Sequence, residues 1–575
     1  MTPEIQAAEV LLALEKAARM PNFHLVDLNE VFGTKNWNAV QNIKADVDPF
    51  SEGLDSRIID AELISRFMAS AFRMDAIVSM LNVLSGFANE IQMHLRRSQD
   101  RISAKLSKGI SKLPDEIVMR IFQFAVWEED CNGGKQAISL SHVSRRFRNI
   151  ALGSRRLWTT LYSCDPEGQL ETFISRAGSS EEFHAFINFT SAVKEEGIGY
   201  LTDICHSTIT RWRTLTLSQE DQDLDADEPL YGGVELIAMH LAHDFASESL
   251  LLPILEKLEI HGHSEDVSCY GLEGHPFADE SYNWAPNLRT ISCSYILPSP
   301  SGPLPSVTTF TFTQSIAYPS TTHSLDLLLK FLGKVPNLSS CVLELYGANE
   351  EGPEEPLPLT ECSAVTSLHL RLRNLIGADF RGQRSCIASF MDALRMPSLE
   401  SFSVSLWFSW IGGRMAGHCD WGEVFGKLSN TLAPYRFWSS TRLASLSYEL
   451  RCERDLRECV IARDFAKKEV VFSVALDRIF HIPSVIISSW FRVDFTLDSD
   501  FVPHADTDER CNLRELNFVG CDNLTAMDLS STVSTLSHLG IWDDIKQVVV
   551  QDCDRLSYED AVDVVGEKRL QFLLH

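Results

Sequence analysis

At 575 residues the chain is too long for one ordinary core, and three or four folding units are expected. Its 45% hydrophobic and 23% charged content is that of a globular protein, and a net charge of −28 with a pI near 5.0 argues against general nucleic-acid or anionic-membrane binding, which need a basic surface. The charge is uneven: between His94 and Arg156 thirteen Lys/Arg face six acids, a local balance of +7 that leaves about −35 on the remainder.

Residues 3–19 read as a short helix. Glu4, Glu9 and Glu15 stand where a signal peptide would need a basic start and an unbroken apolar run. Residues 21–57 have mixed polarity and little period, so 1–58 is read as a short helix and a loop-rich segment. A heptad then begins within 59–108. Leu63, Phe67, Ser70, Met74, Ile77, Leu81, Leu84, Ala88, Ile91 and Leu95 are spaced alternately four and three apart, and Ser98, Ile102 and Leu106 continue the series. That is one apolar seam on a long amphipathic helix. Two readings stay open for 63–106: a coiled-coil homodimer, or a helix folded back on 3–19 or on the C-terminal domain.

Residues 109–163 carry the densest pattern. Leu113-Pro114 opens it, and proline is favoured at a first helical turn because its missing N–H would have no partner there. Asp115 and Glu116 suit the positive end of the helix dipole. Ile117, Ile121 and Phe124 or Ala125 recur at helical spacing, giving one apolar face. Asn132-Gly133-Gly134 breaks the helix. A second amphipathic run places Leu140, Val143, Phe147 and Ile150 on one face beside Arg145, Arg146 and Arg148, with Gly153 as its C-cap. Leu157-Trp158 and Leu161 close the unit.

This order of residues resembles the F-box, through Leu113, Pro114, Glu116, Ile117, Ile121, Phe122, Leu140, Val143, Ser144, Arg145, Phe147, Arg148, Ile150, Ala151, Leu157 and Trp158. Phe147 stands where Trp is commoner, and the stretch between the helices is longer than usual. The resemblance implies three helices that dock on the Skp-type adaptor of a cullin–RING ubiquitin ligase. It implies adaptor contacts at Leu113, Pro114, Glu116, Ile117, Ile121, Leu140, Val143, Arg145, Leu157 and Trp158, some of them shared with the unit's own core. The basic face from Lys135 to Arg156 would suit an acidic adaptor surface. A long helix just before the unit also resembles the large F-box families of mushroom-forming fungi.

After Tyr162, in 164–575, short β-rich runs recur with the spacing apolar, two residues, apolar, one residue, apolar. They are Trp212/Leu215/Leu217, Leu255/Leu258/Ile260, Leu288/Ile291/Cys293, Val307/Phe310/Phe312, Leu338/Cys341/Leu343, Val365/Leu368/Leu370, Leu399/Phe402/Val404, Leu513/Leu516/Phe518 and Leu536/Leu539/Ile541, with Leu443/Leu446 a weaker member. Several follow Pro-Asn or Pro-Ser. This is the strand portion of a leucine-rich-repeat pattern, in which each unit needs neighbours to cover its apolar face. The interval is irregular, so the expected fold class is α/β: a long N-terminal helix, a three-helix F-box, then an irregular leucine-rich-repeat-like α/β solenoid. Its helical or loop-rich returns include 324–333 and 386–395, and 448–510 holds a helix at 455–468 and a strand-like 485–495. A plain α/β domain is the alternative. Acidic insertions at 220–228 and 349–356 and a Pro/Ser-rich one at 298–305 read as solvated loops, and on a binding face the acidic ones would favour a basic partner.

No catalytic motif emerges. The glycines of 412–418 lack the lysine of a phosphate loop. His240 and His243 lack a third ligand, and His261-Gly262-His263 reads as a turn. No cysteine sits in a recognisable nucleophile motif. The fourteen cysteines follow no framework, as free thiols in a reducing compartment do, and no run of about 18 apolar residues occurs. The expectation is a soluble, non-catalytic receptor subunit of cytosol or nucleus, without cofactor or metal. It binds the adaptor, and through it cullin, at one end and an unknown protein target at the other. The alternative is a scaffold or sensor outside any ligase, assembled through the solenoid and the seam helix.

Overall fold

The computed structural model describes residues 85–86, 89, 92–99, 101–102, 109–110, 112–127, 133–189, 204–219, 251–262, 270–271, 285–298, 302–315, 321–346, 356–373, 386–408, 432, 443–452, 471–476, 479, 481–496 and 512–573. The chain divides into two compact units, Met1–Leu113 and Pro114–His575. In the first, residues 92–99 are helical, and the seam residues Leu95 and Ile102 are exposed. Ser98 of the seam is exposed as well, and the other seam residues, the helices expected at 3–19 and 455–468, and residues 220–228, 240–244, 349–355 and 412–418 lie outside the described residues.

The second unit opens with three helices, α1 (Asp115–Trp127), α2 (Gly133–Val143) and α3 (Arg145–Gly153). The second amphipathic run is therefore not one helix. Ser144 is extended, at φ −159°, and its Oγ accepts from the Phe147 N–H at 3.1 Å, so it ends α2 and caps α3. Gly153 is the last residue of α3 rather than its cap, and Ser154 closes the helix with backbone bonds to the Ile150 and Ala151 carbonyls. A 3₁₀ turn, Arg155–Trp158, leads into the first strand.

Fourteen parallel strands form one sheet in strict chain order. They are β1 (Thr160–Tyr162), β2 (Phe183–Phe189), β3 (Trp212–Gln219), β4 (Lys257–His261), β5 (Thr290–Ser294), β6 (Thr309–Ser315) and β7 (Ser340–Tyr346). Then come β8 (Ser367–Arg373), β9 (Ser401–Phe408), β10 (Ser445–Cys452), β11 (Ser484–Ser489), β12 (Glu515–Val519), β13 (Gln547–Gln551) and β14 (Leu570–Leu573). Parallel neighbours need a crossover, and five described helices serve or flank these returns: α4 (Glu167–Ala177), α5 (Thr321–Leu332), α6 (Cys386–Ala393), α7 (Ala526–His538) and α8 (Tyr558–Val565).

Alternate strand residues explain the stacking. On one face, register aligns Leu258, Ile291, Phe310, Cys341, Leu368, Phe402, Leu446, Val485 and Leu516 into a continuous buried ladder. A second buried ladder runs two residues on, through Ile260, Phe312, Leu370, Tyr448 and Phe518. Burying each such side chain contributes about 1.5–3 kcal/mol, and none can be covered by its own strand alone. The opposite face is rich in hydroxyls: Thr290, Thr309, Ser340, Ser367, Ser401, Ser445 and Ser484 share one row across seven strands.

The leading apolar residue of each run sits in a turn just before its strand. The N–H groups of Leu255, Leu288, Val307, Leu338, Val365 and Leu399 each bond to the carbonyl three residues back. The Pro-Asn dipeptides act between successive lead-in turns: Asn287 Nδ2 donates to the Pro253 carbonyl at 2.6 Å and Asn337 Nδ2 to Pro305 at 2.7 Å. One expected run is wrong. Leu536 lies in α7, and Leu539 and Ile541 follow it without forming a strand. Thr525 and Asp528 make a capping box, and Leu529, Thr532 and Leu536 are buried at helical spacing, so the 3.6 period wins. The strand-like 485–495 is two strands, β11 in the main sheet and Arg492–Thr496 paired with Val471–Ala475.

Candidate functional site

Helix α1 is apolar on two sides. Val118, Phe122 and Val126 are buried, and the Phe122 ring meets Phe147 of α3 edge-on at 4.9 Å. Ile117, Ile121 and Phe124 follow the same 3.6 period one step round the helix, yet they are 47%, 47% and 66% exposed. The stripe visible in the sequence is thus the outward one, and the packed stripe lies beside it. Asp115 fixes the start of α1 on α3, with Arg146 Nε and Nη2 donating to its Oδ1 at 2.8 and 2.6 Å. At this exposure such a pair contributes at most about 1 kcal/mol, so it orients the helix more than it stabilises it.

The other candidates divide clearly. Leu113 is half-buried, and its N–H bonds to the Ile110 carbonyl. Pro114, Glu116 and Arg145 are exposed, Leu140 is half-buried, and Val143 at the end of α2 is 64% exposed. Leu157 and Trp158 are sealed inside and offer no surface to a partner. Trp158 donates from Nε1 to the Ala151 carbonyl at 2.9 Å, meets Phe173 of α4 edge-on at 5.2 Å, and carries the Arg176 guanidinium over its ring at 4.3 Å. Gly134 completes this joint. A Cβ there would sit 3.0 Å from the Phe173 ring and 3.5 Å from Tyr162 of β1. The helical unit is therefore packed directly onto the start of the sheet.

Phe124 is the surface residue that the sequence left ambiguous with Ala125. Its exposure beside Ile121 marks it as part of the open stripe. Among the described residues no group of three His, Cys, Asp or Glu could hold a metal ion, and no helix is long and apolar enough to cross a membrane. The eight described free thiols include seven buried ones. Burial pushes Cys205 up to about 12 and Cys362 up to about 11, away from nucleophile chemistry.

Residues 110–164 match the F-box-like family model. This segment is an F-box-like domain. F-box domains generally bind the Skp-type adaptor, and through it cullin, and are typically non-catalytic. No curated protein matches the chain. The F-box takes in the open stripe of α1, the kink at Ser144 and the buried Trp158, and its last residues run into β1.

Proposed function

We propose that the chain is a substrate receptor of a Skp–cullin–F-box ubiquitin ligase. The carrying observation is the open α1 stripe. Three large apolar side chains in a row on an F-box helix, left uncovered by a well-packed chain, are what an adaptor interface requires. Leu113, Pro114, Ile117, Ile121, Phe124 and Val143 form the anchor, Glu116 and Arg145 lie at its polar rim, and Leu140 is shared with the core. Leu157 and Trp158 act from inside by holding the F-box on the sheet.

The fourteen-stranded sheet is read as an irregular leucine-rich-repeat-like solenoid. Its apolar face is covered by the chain's own returns, and its hydroxyl-rich face receives the target. The mechanism is proximity: the receptor raises the effective concentration of target lysines near a charged conjugating enzyme and supplies no catalytic group. The test is replacement of both Leu113 and Pro114 by Ala in the full chain. Adaptor and cullin should no longer co-purify, while circular dichroism stays unchanged. Retained adaptor binding removes the docking assignment. Adaptor without cullin in a native pull-down of the wild-type chain would favour the non-ligase scaffold.

A further inference from the structure

The open sheet face is rich in hydroxyls, and over its middle strands it carries a cluster of arginines and aromatic rings. Register sets Tyr346 of β7 beside Arg373 of β8, Arg373 beside Trp407 of β9, and Trp407 beside Arg451 of β10. The Arg373 guanidinium lies 4.6 Å from the Trp407 ring centre and 5.6 Å from that of Tyr346, and Arg451 approaches the same indole at 5.9 Å. Each arginine is also held by a glutamate, Arg373 Nε at 2.6 Å from Glu344 and Arg451 Nε at 2.5 Å from Glu449. Arg371 reaches Glu344 at 3.5 Å.

The charges are layered. Glu344 is nearly buried and is further satisfied by the Tyr346 hydroxyl at 2.8 Å, and Glu449 accepts from Ser405 at 2.6 Å. The Arg451 side chain is 58% exposed, Arg371 42% and Arg373 26%, against 10% for Glu344 and 23% for Glu449. Among the described residues the Nη groups of Arg373 and Arg451 make no hydrogen bond. The buried indole N–H of Trp407 has no acceptor. Two guanidinium forks are thus fixed by stacking and by a recessed carboxylate, with their bidentate edges unspent.

We propose that this cluster binds an acidic segment of the target, with two oxyanion side chains three residues apart. This rests on the reading of the open sheet face as the target surface. The chain is strongly acidic overall, yet this spot presents cations outward and keeps its anions beneath, so complementarity favours carboxylates or phosphates. Arg373 and Arg451 lie two strands apart, about 10 Å, which an extended peptide spans in about three residues.

The test uses the adaptor-bound full chain and an array of fluorescent Gly/Ser peptides carrying Glu, phosphoserine, Gln or Lys pairs at spacings of two, three and four. Glu or phosphoserine pairs three apart should bind at least about tenfold tighter than Gln pairs. Either acid supports the proposal, and a preference for phosphoserine assigns a phosphorylated target. Arg373→Glu with Arg451→Glu should turn the preference toward Lys pairs. Arg451→Glu alone, at the more exposed position, should weaken acidic binding should the double variant not fold. Equal binding of Glu and Gln pairs, or a preference that ignores these substitutions, overturns the proposal. If a photo-crosslinker at Ser403 still captures a protein from extract in that case, only this proposal falls. If it captures nothing, the target-surface reading falls with it.

Discussion

Phe122 and Phe124 are two residues apart on one helix and should fail in opposite ways. Phe124 leaves 66% of its side chain open. Covering a whole aromatic side chain removes about 150–250 Å² from water, so an adaptor closing over Phe124 would cover about 100–160 Å². At about 25 cal/mol per Å² that is worth about 3 kcal/mol, or roughly a hundredfold in Kd. Phe124→Ala should therefore weaken adaptor binding by about that factor in isothermal titration while leaving the melting temperature unchanged. Phe122 is 2% exposed and meets Phe147 edge-on. Phe122→Ala opens a cavity and should cost about 3–5 kcal/mol of folding free energy. The reasoning is refuted if Phe124→Ala melts as early as Phe122→Ala, or binds the adaptor with wild-type affinity.

Asp528→Ala should destabilise α7 by about 3 kcal/mol. It removes the buried carboxylate that Arg492 Nε and Nη2 bond at 2.9 and 2.6 Å, and it opens the capping box; faster amide exchange across 526–538 is the readout. Gly262→Ala places a Cβ 3.0 Å from the Ser294 carbonyl oxygen, a backbone atom that cannot swing aside, and should lower stability by about 1–3 kcal/mol in thermal melts. His184 and His369 both sit below the usual 6.5, first because burial disfavours their charged form and then because Arg213 and Arg371 lie near. The unfolded chain then takes up protons that the folded chain refuses, so their contribution is complete above 6.5 and is lost as pH falls below it. Melting temperature should drop from about pH 7 to about pH 5.5, and less steeply in His184→Gln with His369→Gln.

The strands were legible where a leading leucine or valine preceded the alternation, because that residue does a separate job. Leu338 and Val365 each close a buried turn before the strand starts. The Pro-Asn dipeptides owe their place to a bond across turns: the side-chain amides of Asn287 and Asn337 each tie a strand's lead-in turn to the one before it. Gln547–Gln551 was missed because its two buried valines, Val548 and Val550, are too short a signal alone. Leu536-x-x-Leu539-x-Ile541 misled because a helix end can copy strand spacing over six residues, and the Thr525 cap eleven residues upstream decided the matter. On the F-box, the helical period of α1 showed an apolar face but could not say that a second one, Val118/Phe122/Val126, was the packed one. The arginine–tryptophan cluster was invisible, since its members come from positions 346, 373, 407 and 451 and meet only through register.

The wedge of Trp158 against Phe173, with Gly134 kept bare so that ring can approach, has a mechanical meaning. It is a weld with no slack between the F-box-like helices and the strands that follow. On the proposed receptor reading, reach then becomes a constant of the molecule, and a captured protein would have to bring its own lysine to a place the receptor cannot travel to meet. Selectivity among lysines would be written in the target's geometry as much as in its affinity. A side chain grown at Gly134 would loosen that ruler at the joint itself.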